Sequence, residues 1–157
     1  MQYIDTADGS GDEVCTIFAA NGVPADRDNY AICVDQVGTD RVSIVEDVKD
    51  TELSGTILAT ANFSSLSSGW YEVLVDWETD NTIDVVVKQD STGSVVATTT
   101  ATDATYSSGG IGFAYWFQNG GWDSFVAWPR TETVPTVYLG AEQTDGGATW
   151  AGAQNTP

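Results

Sequence analysis

Histidine is absent from this chain, lysine and arginine are scarce, and no long apolar run occurs. Without imidazole there can be no Ser-His-Asp or Cys-His triad, no imidazole general base and no histidine-ligated zinc. Five Lys+Arg stand against 23 Asp+Glu, for a formal net charge of -18. Such a surface repels phosphate backbones and anionic membranes, because binding them requires cationic side chains that displace counterions. Nucleic acid is therefore excluded as a partner. No window is apolar enough to cross a bilayer, and the N-terminus lacks a basic stretch followed by an apolar one, so neither membrane insertion nor a signal peptide is expected. Helical periodicity is missing as well: no segment of useful length repeats its apolar residues at the helical spacing.

What remains is a chain of 157 residues, one domain's worth, with 41% hydrophobic residues and enough bulk to bury a core unaided. An acidic chain poor in aromatics reads as disordered, but six Trp, six Tyr and five Phe argue that this one folds. The acidity suits concentrated salt, where the Debye length shrinks to roughly 3 Å at 1 M and dense like charge ceases to be a penalty. Lys49 and Lys88 are the only lysines among abundant Asp, Ala, Val and Thr, the balance expected of a halophilic archaeon or its virus.

Strict alternation of apolar and polar residues marks half-buried antiparallel strands. Between Trp70 and Glu78 the inward set is Tyr71, Val73, Val75 and Trp77; in the next strand it is Ile83, Val85 and Val87. A hairpin tip at Thr79-Asp80-Asn81 sets Trp77 opposite Ile83 and Val73 opposite Val87. The same register sets Glu72 against Lys88, a favourable cross-strand pair. Upstream, Glu13 to Ala19 and Tyr30 to Gln36 pair across a loop so that Val14 meets Val34 and Phe18 meets Tyr30. Cys15 then falls opposite Cys33. Either the two sulfurs bridge, which would contribute about 3 kcal/mol by restricting the unfolded chain, or they are two buried thiols. Further strands are expected at Arg41 to Glu46, Thr56 to Asn62 and Ser94 to Thr100, followed by the aromatic-rich segments from Gly110 to Phe117 and Trp122 to Trp128. The fold class is all-β, an antiparallel two-sheet sandwich. It is expected to span residues 1–130, with 131–157, low in core-forming residues and broken by Pro135, as an extended C-terminal linker or docking tail.

The succession Asn29-Tyr-Ala-Ile-Cys-Val-Asp35, Thr56-Ile-Leu-Ala-Thr60, Gly69-Trp-Tyr-Glu-Val-Leu-Val-Asp-Trp77, Thr82-Ile-Asp-Val-Val-Val87, Tyr106-Ser-Ser-Gly-Gly-Ile-Gly-Phe113 and Trp122-Asp-Ser-Phe-Val126 resembles the concanavalin A-like lectin/glucanase superfamily, especially its laminin-G-like modules. Similar modules occur in surface proteins of halophilic archaea and their viruses. The resemblance covers the chain from about Glu13 to Trp128 and implies a jelly-roll sandwich with carbohydrate or protein ligands at a concave face or rim loops. Two features depart from it. Only Met1 to Thr6 could supply the strands that open a complete module, so a longer polypeptide or a neighbouring subunit is expected to provide the missing edge. The alternating Glu, Asp and Glu of the superfamily's glycoside hydrolases are not reproduced.

The candidate sites follow from chemistry. Glu72, Asp76 and Glu78 share an open strand face, with Asp84 across from Asp76, and two carboxylates about 5 Å apart are what a retaining glycosidase uses. A salt-adapted protein, however, covers its open faces with carboxylates, and Glu72 has Lys88 beside it. Calcium prefers six to eight oxygens. Asp26-Arg-Asp28, Asp47 with Asp50, or Asp5-Thr-Ala-Asp8 offer some, without the spacing of a dedicated calcium loop, so calcium is the one cofactor the resemblance brings into view. Asn62-Phe-Ser64 matches the N-glycosylation sequon, which matters only in an exported chain. Sugars stack their C–H faces on aromatic rings while amides and carboxylates bond their hydroxyls. Tyr115, Trp116, Gln118, Asn119 and Trp122 crowd around the Gln118-Asn-Gly-Gly121 turn and form the expected ligand surface, with Trp70 as a further exposed platform and Phe113, Phe125 and Trp77 assigned to the core. The resulting expectation is a non-catalytic, lectin-like module on the outside of a cell or virion that binds surface glycans or glycoproteins. Its alternatives are a structural decoration, turret or fibre component in a homo-oligomer or larger surface assembly, and a glycoside hydrolase domain.

Overall fold

The computed structural model describes residues 2–4, 13–21, 28–35, 39–48, 54–63, 67–116, 120–127, 138–139, 143–145, 148–150 and 153–154. The chain divides into two compact units, Met1–Phe125 and Val126–Pro157. The first unit holds β1 (Gln2–Ile4), β2 (Glu13–Asn21), β3 (Asp28–Asp35), β4 (Arg41–Glu46), β5 (Thr56–Asn62), β6 (Gly69–Trp77), β7 (Thr82–Gln89), β8 (Val95–Thr102), β9 (Gly110–Trp116) and β10 (Gly120–Trp122). In the second unit β11 (Tyr138–Leu139) pairs antiparallel with β14 (Ala153–Gln154), and β12 (Gln143–Asp145) with β13 (Ala148–Trp150).

The first unit is a β-sandwich of two antiparallel sheets. A front sheet runs in the order β10-β1-β6-β7-β8 and a back sheet in the order β5-β4-β3-β2-β9. Most neighbours are consecutive in sequence, because short turns join antiparallel strands whereas parallel ones need long crossovers. The registers read from alternation hold: Trp77 lies opposite Ile83, Val73 opposite Val87, Glu72 opposite Lys88 and Asp76 opposite Asp84. In the back sheet Val14 faces Val34, Cys15 faces Cys33 and Phe18 faces Tyr30.

The two sheets meet through their inward side chains. Val14, Tyr30, Ile32, Val34, Val42 and Ile44 from the back sheet join Tyr71, Ile83, Val85 and Val87 from the front sheet in one buried cluster. At about 25 cal/mol per Å² of apolar surface removed from water, this layer is the main source of stability. Phe18, Tyr30 and Trp77 form a ring triad with centroids 5.5 to 5.8 Å apart, an edge-rich geometry that aromatic quadrupoles favour. Trp77 thus packs on the core as expected.

One inward assignment changes. Val75 is 36% exposed although Val85 opposite it is buried, because β1 flanks β6 only at Gly69, Trp70 and Tyr71. The strand beyond that point has no described neighbour on its outer side. In the back sheet the second face is covered as well: Cys15, Ile17, Ala31, Cys33 and Val45 form a second buried cluster there. This explains why β3 is buried along almost its whole length: a strand covered on both faces loses its alternation.

Candidate functional site

The rim at β9 and β10 carries an exposed ring cluster. β9 is the outermost described strand of the back sheet and β10 of the front sheet. Between Trp122 and Phe125 the chain bends through Asp123-Ser124, where Ser124 adopts φ 53°, a left-handed conformation uncommon outside glycine. That bend returns Phe125 to β9. Phe113 then stands between two rings, 5.3 Å from Trp122 at an interplanar angle of 42° and 5.1 Å from Phe125 at 85°. Phe113 is 41% exposed and Phe125 45% exposed, while Trp122 is half-buried against the main core. Ile111, two residues along the same face of β9, is exposed as well.

The start of β9 is fixed by close backbone approach. Ala19 forms a bulge in β2 at φ 53°, where the pairing register of β2 shifts on both sides. Gly109 lies directly on it: a Cβ at Gly109 would sit 2.3 Å from the Ala19 carbonyl carbon. Only glycine fits there, and its φ of 155° adds a second reason.

Of the residues expected to form the ligand surface, Trp122 is present at this rim. Tyr115 and Trp116 end β9, paired with Val14 and Glu13, and their side chains fall outside the description. Gln118 and Asn119 lie outside the described residues. Phe113 and Phe125 were assigned to the core and are instead exposed members of the cluster. β9 is an edge strand, so its inward residues lack full cover; alternation gives the facing of a side chain but not the position of its strand in the sheet. Trp70 is an exposed ring, on β6.

The open face of the front sheet holds the acidic residues considered for hydrolysis. Lys88 Nζ lies 3.3 Å from Glu72 Oε2, and the Thr100 hydroxyl donates to Asp84 Oδ1 at 2.6 Å. This is a solvated, internally partnered acidic face. In the calcium candidates, Asp47 accepts the Tyr106 hydroxyl, and Asp5, Asp8, Asp26 and Asp50 lie outside the described residues.

A polar row crosses the covered face of the back sheet. Glu13 pairs with Asp35 and Asp35 with Arg41, and Arg41 Nη2 lies 3.2 Å from Asp35 Oδ2. Glu13 is only 2% exposed. Burial, reinforced by the Asp35 charge and opposed by Arg41, pushes its carboxyl up to about 8, so it is largely protonated at neutral pH. Next to it Cys15 and Cys33 are joined in a disulfide, which settles the alternative left open by register alone. Glu13 Oε1 lies 3.3 Å from Cys15 Sγ; a bridged sulfur carries no proton, so the neutral carboxyl is the donor available. Among the described residues Glu13, Cys15 and Cys33 form the one group with metal-ligand spacing, but the disulfide occupies both sulfurs.

Tyrosines tie the loops at the other side of the core. Tyr30 donates to Asp103 and accepts the Tyr106 N–H at 3.1 Å. Burial, followed by that hydrogen bond, pushes the Tyr30 hydroxyl up to about 12, while the Tyr30 bond holds Asp103 below its ordinary value.

Fold and rim together define a β-sandwich with an exposed aromatic cluster at one edge. Compared with known proteins, the chain matches no family model, no curated protein and no solved structure. Among the described residues no helix is long and apolar enough to cross a membrane.

Proposed function

We propose that this chain is a non-catalytic, lectin-like binding module, of jelly-roll type, displayed outside a cell or virion and stacking glycan faces on its aromatic rim. The observation that carries this reading is the rim cluster of exposed Phe113 and Phe125 with half-buried Trp122. Three rings held by strand and turn offer apolar area at low entropic cost, and Asp123 and Ser124 beside them supply acceptors and a hydroxyl. A wholly buried disulfide agrees with an oxidising, extracellular setting. Hydrolysis is disfavoured because Glu72 and Asp84 already hold Lys88 and Thr100. The test is binding to a glycan array. Wild-type chain should retain specific sugars and Trp122→Ala should lose at least about tenfold in affinity, the size expected for one stacked ring. Equal binding by the variant, or none by the wild type, rejects the reading.

The second reading, a structural surface component, draws on the same exposure, since aromatic residues are enriched where proteins meet. It predicts a concentration-dependent oligomer in sedimentation that Phe113→Ser disperses, without sugar binding.

A further inference from the structure

Asn62-Phe-Ser64 is the only Asn-X-Ser/Thr triplet in the chain, and the fold decides what its asparagine can do. Asn62 is the last residue of β5, the outermost described strand of the back sheet. Its neighbours on both sides turn inward: Ala61, opposite Val42, packs on the main core, and Phe63 is buried in it. Successive side chains of a strand point to opposite faces. Asn62, opposite Arg41, therefore points away from the core, and it is exposed. Just past the strand the Phe63 N–H donates to the Asp40 carbonyl at 2.8 Å, which ties the backbone down. Other asparagines are used differently. Asn21 Nδ2 donates to the Ser108 carbonyl at 2.9 Å, wholly buried Asn29 donates to the Val48 carbonyl at 3.1 Å, and Asn81 takes the left-handed position of the β6–β7 turn. The Asn62 amide has no hydrogen-bond partner among the described residues, so a substituent on its nitrogen displaces no hydrogen bond within the described fold.

We propose that Asn62 is a site of N-linked glycosylation, modified during export by an oligosaccharide carried on a polyprenyl phosphate lipid. Asn62 Nδ2 attacks the anomeric carbon of the lipid-linked sugar. The N–C bond forms, the C–O bond to phosphate breaks with its electron pair leaving on the lipid phosphate, and the nitrogen gives up one proton to a base of the transferase. The transferase reads Asn-Phe-Ser as sequence in the extended nascent chain, so the folded protein has only to leave room for the product. A glycan is bulky and hydrophilic and belongs on the surface. At the exposed end of an edge strand it neither enters the core nor interrupts the β4–β5 ladder. The Cys15–Cys33 disulfide fits the same oxidising export route. This inference rests on the export half of the proposed function and is independent of glycan binding at Phe113, Trp122 and Phe125.

The test is expression of the full chain behind a cleavable export leader in a eukaryotic secretory host, which supplies both donor lipid and transferase. Secreted protein is weighed intact, mapped after enzymatic glycan release in heavy-oxygen water, and titrated for free thiols. Most chains should carry a glycan, release should convert Asn62 to an aspartate bearing heavy oxygen, and no thiol should be found. Asn62→Gln should remove the whole added mass. Ser64→Ala, which leaves the acceptor amide in place, should do the same; should Asn62→Gln not be secreted, Ser64→Ala decides. Trp122→Ala should leave occupancy unchanged. Secreted, fully bridged chain without a glycan would overturn the site and leave export standing, whereas chain retained in the cell with free thiols would overturn both. A glycan that persists in Ser64→Ala, or maps to another residue, would overturn the assignment to Asn62.

Discussion

Glu13, at the first position of a strand whose apolar residues alternate, would ordinarily be assigned to solvent. In the structure it is buried beside Asp35, with Arg41 one strand further away. Its folded-state value of about 8 lies above the ordinary 4.5. The protonated form is therefore favoured by folding, and the stability it confers is complete below pH 4.5 and lost as pH rises to about 8. Glu13→Gln, which keeps shape and cannot ionise, should match wild type near pH 4.5 and exceed it by a few kcal/mol above pH 8. Urea denaturation across that range measures the difference, and parallel curves for the two proteins would refute it. Nothing in the sequence marked Glu13, because alternation tells which face a residue takes and not whether that face is covered. Tyr30 was legible as a core residue, but not the Asp103 and Tyr106 partners that its hydroxyl finds more than seventy positions away.

Hairpins were the most readable elements. Asp80 accepts the Thr82 N–H, and Asn81 takes φ 67° at the tip between β6 and β7, which Asn tolerates better than other side chains. That turn chemistry, together with the Glu72–Lys88 match, sets the register of the hairpin. The β2–β3 register likewise brought Cys15 and Cys33 together, and their bridge closes a sequence separation of 18. Changing both to Ser should cost about 3 kcal/mol, read as a lower denaturation midpoint. Because both sulfurs are fully buried, a reductant should act on the native protein only at the rate of local opening. Edge elements were less readable. β9 showed the correct alternation, yet Phe113 was assigned to the interior. The contact between Gly109 and the Ala19 bulge that positions β9 joins segments ninety residues apart. Gly109→Ala should destabilise the first unit by several kcal/mol, since both its conformation and the space are denied to a side chain. A variant within 1 kcal/mol of wild type would show that the bulge relaxes.

At the scale of the molecule, the net charge of -18 dominates behaviour in solution. Self-repulsion opposes the compact state and is relieved as salt shortens the Debye length to about 3 Å at 1 M. The melting temperature should climb steeply with potassium chloride at low concentrations and level off toward molar salt. A melting temperature independent of salt would mean that the acids are too far apart to interact. Composition and alternation by themselves determined the all-β class, the antiparallel pairing, the register of two hairpins and most of the inward-facing core, because each of these depends on residues close in sequence or on a period of two. Only the tertiary structure decided which strands became edges, which second face was covered and which rings stayed exposed. Those outcomes depend on how distant segments stack, and a pleated strand carries the same local pattern whether it lies at the centre of a sheet or at its rim.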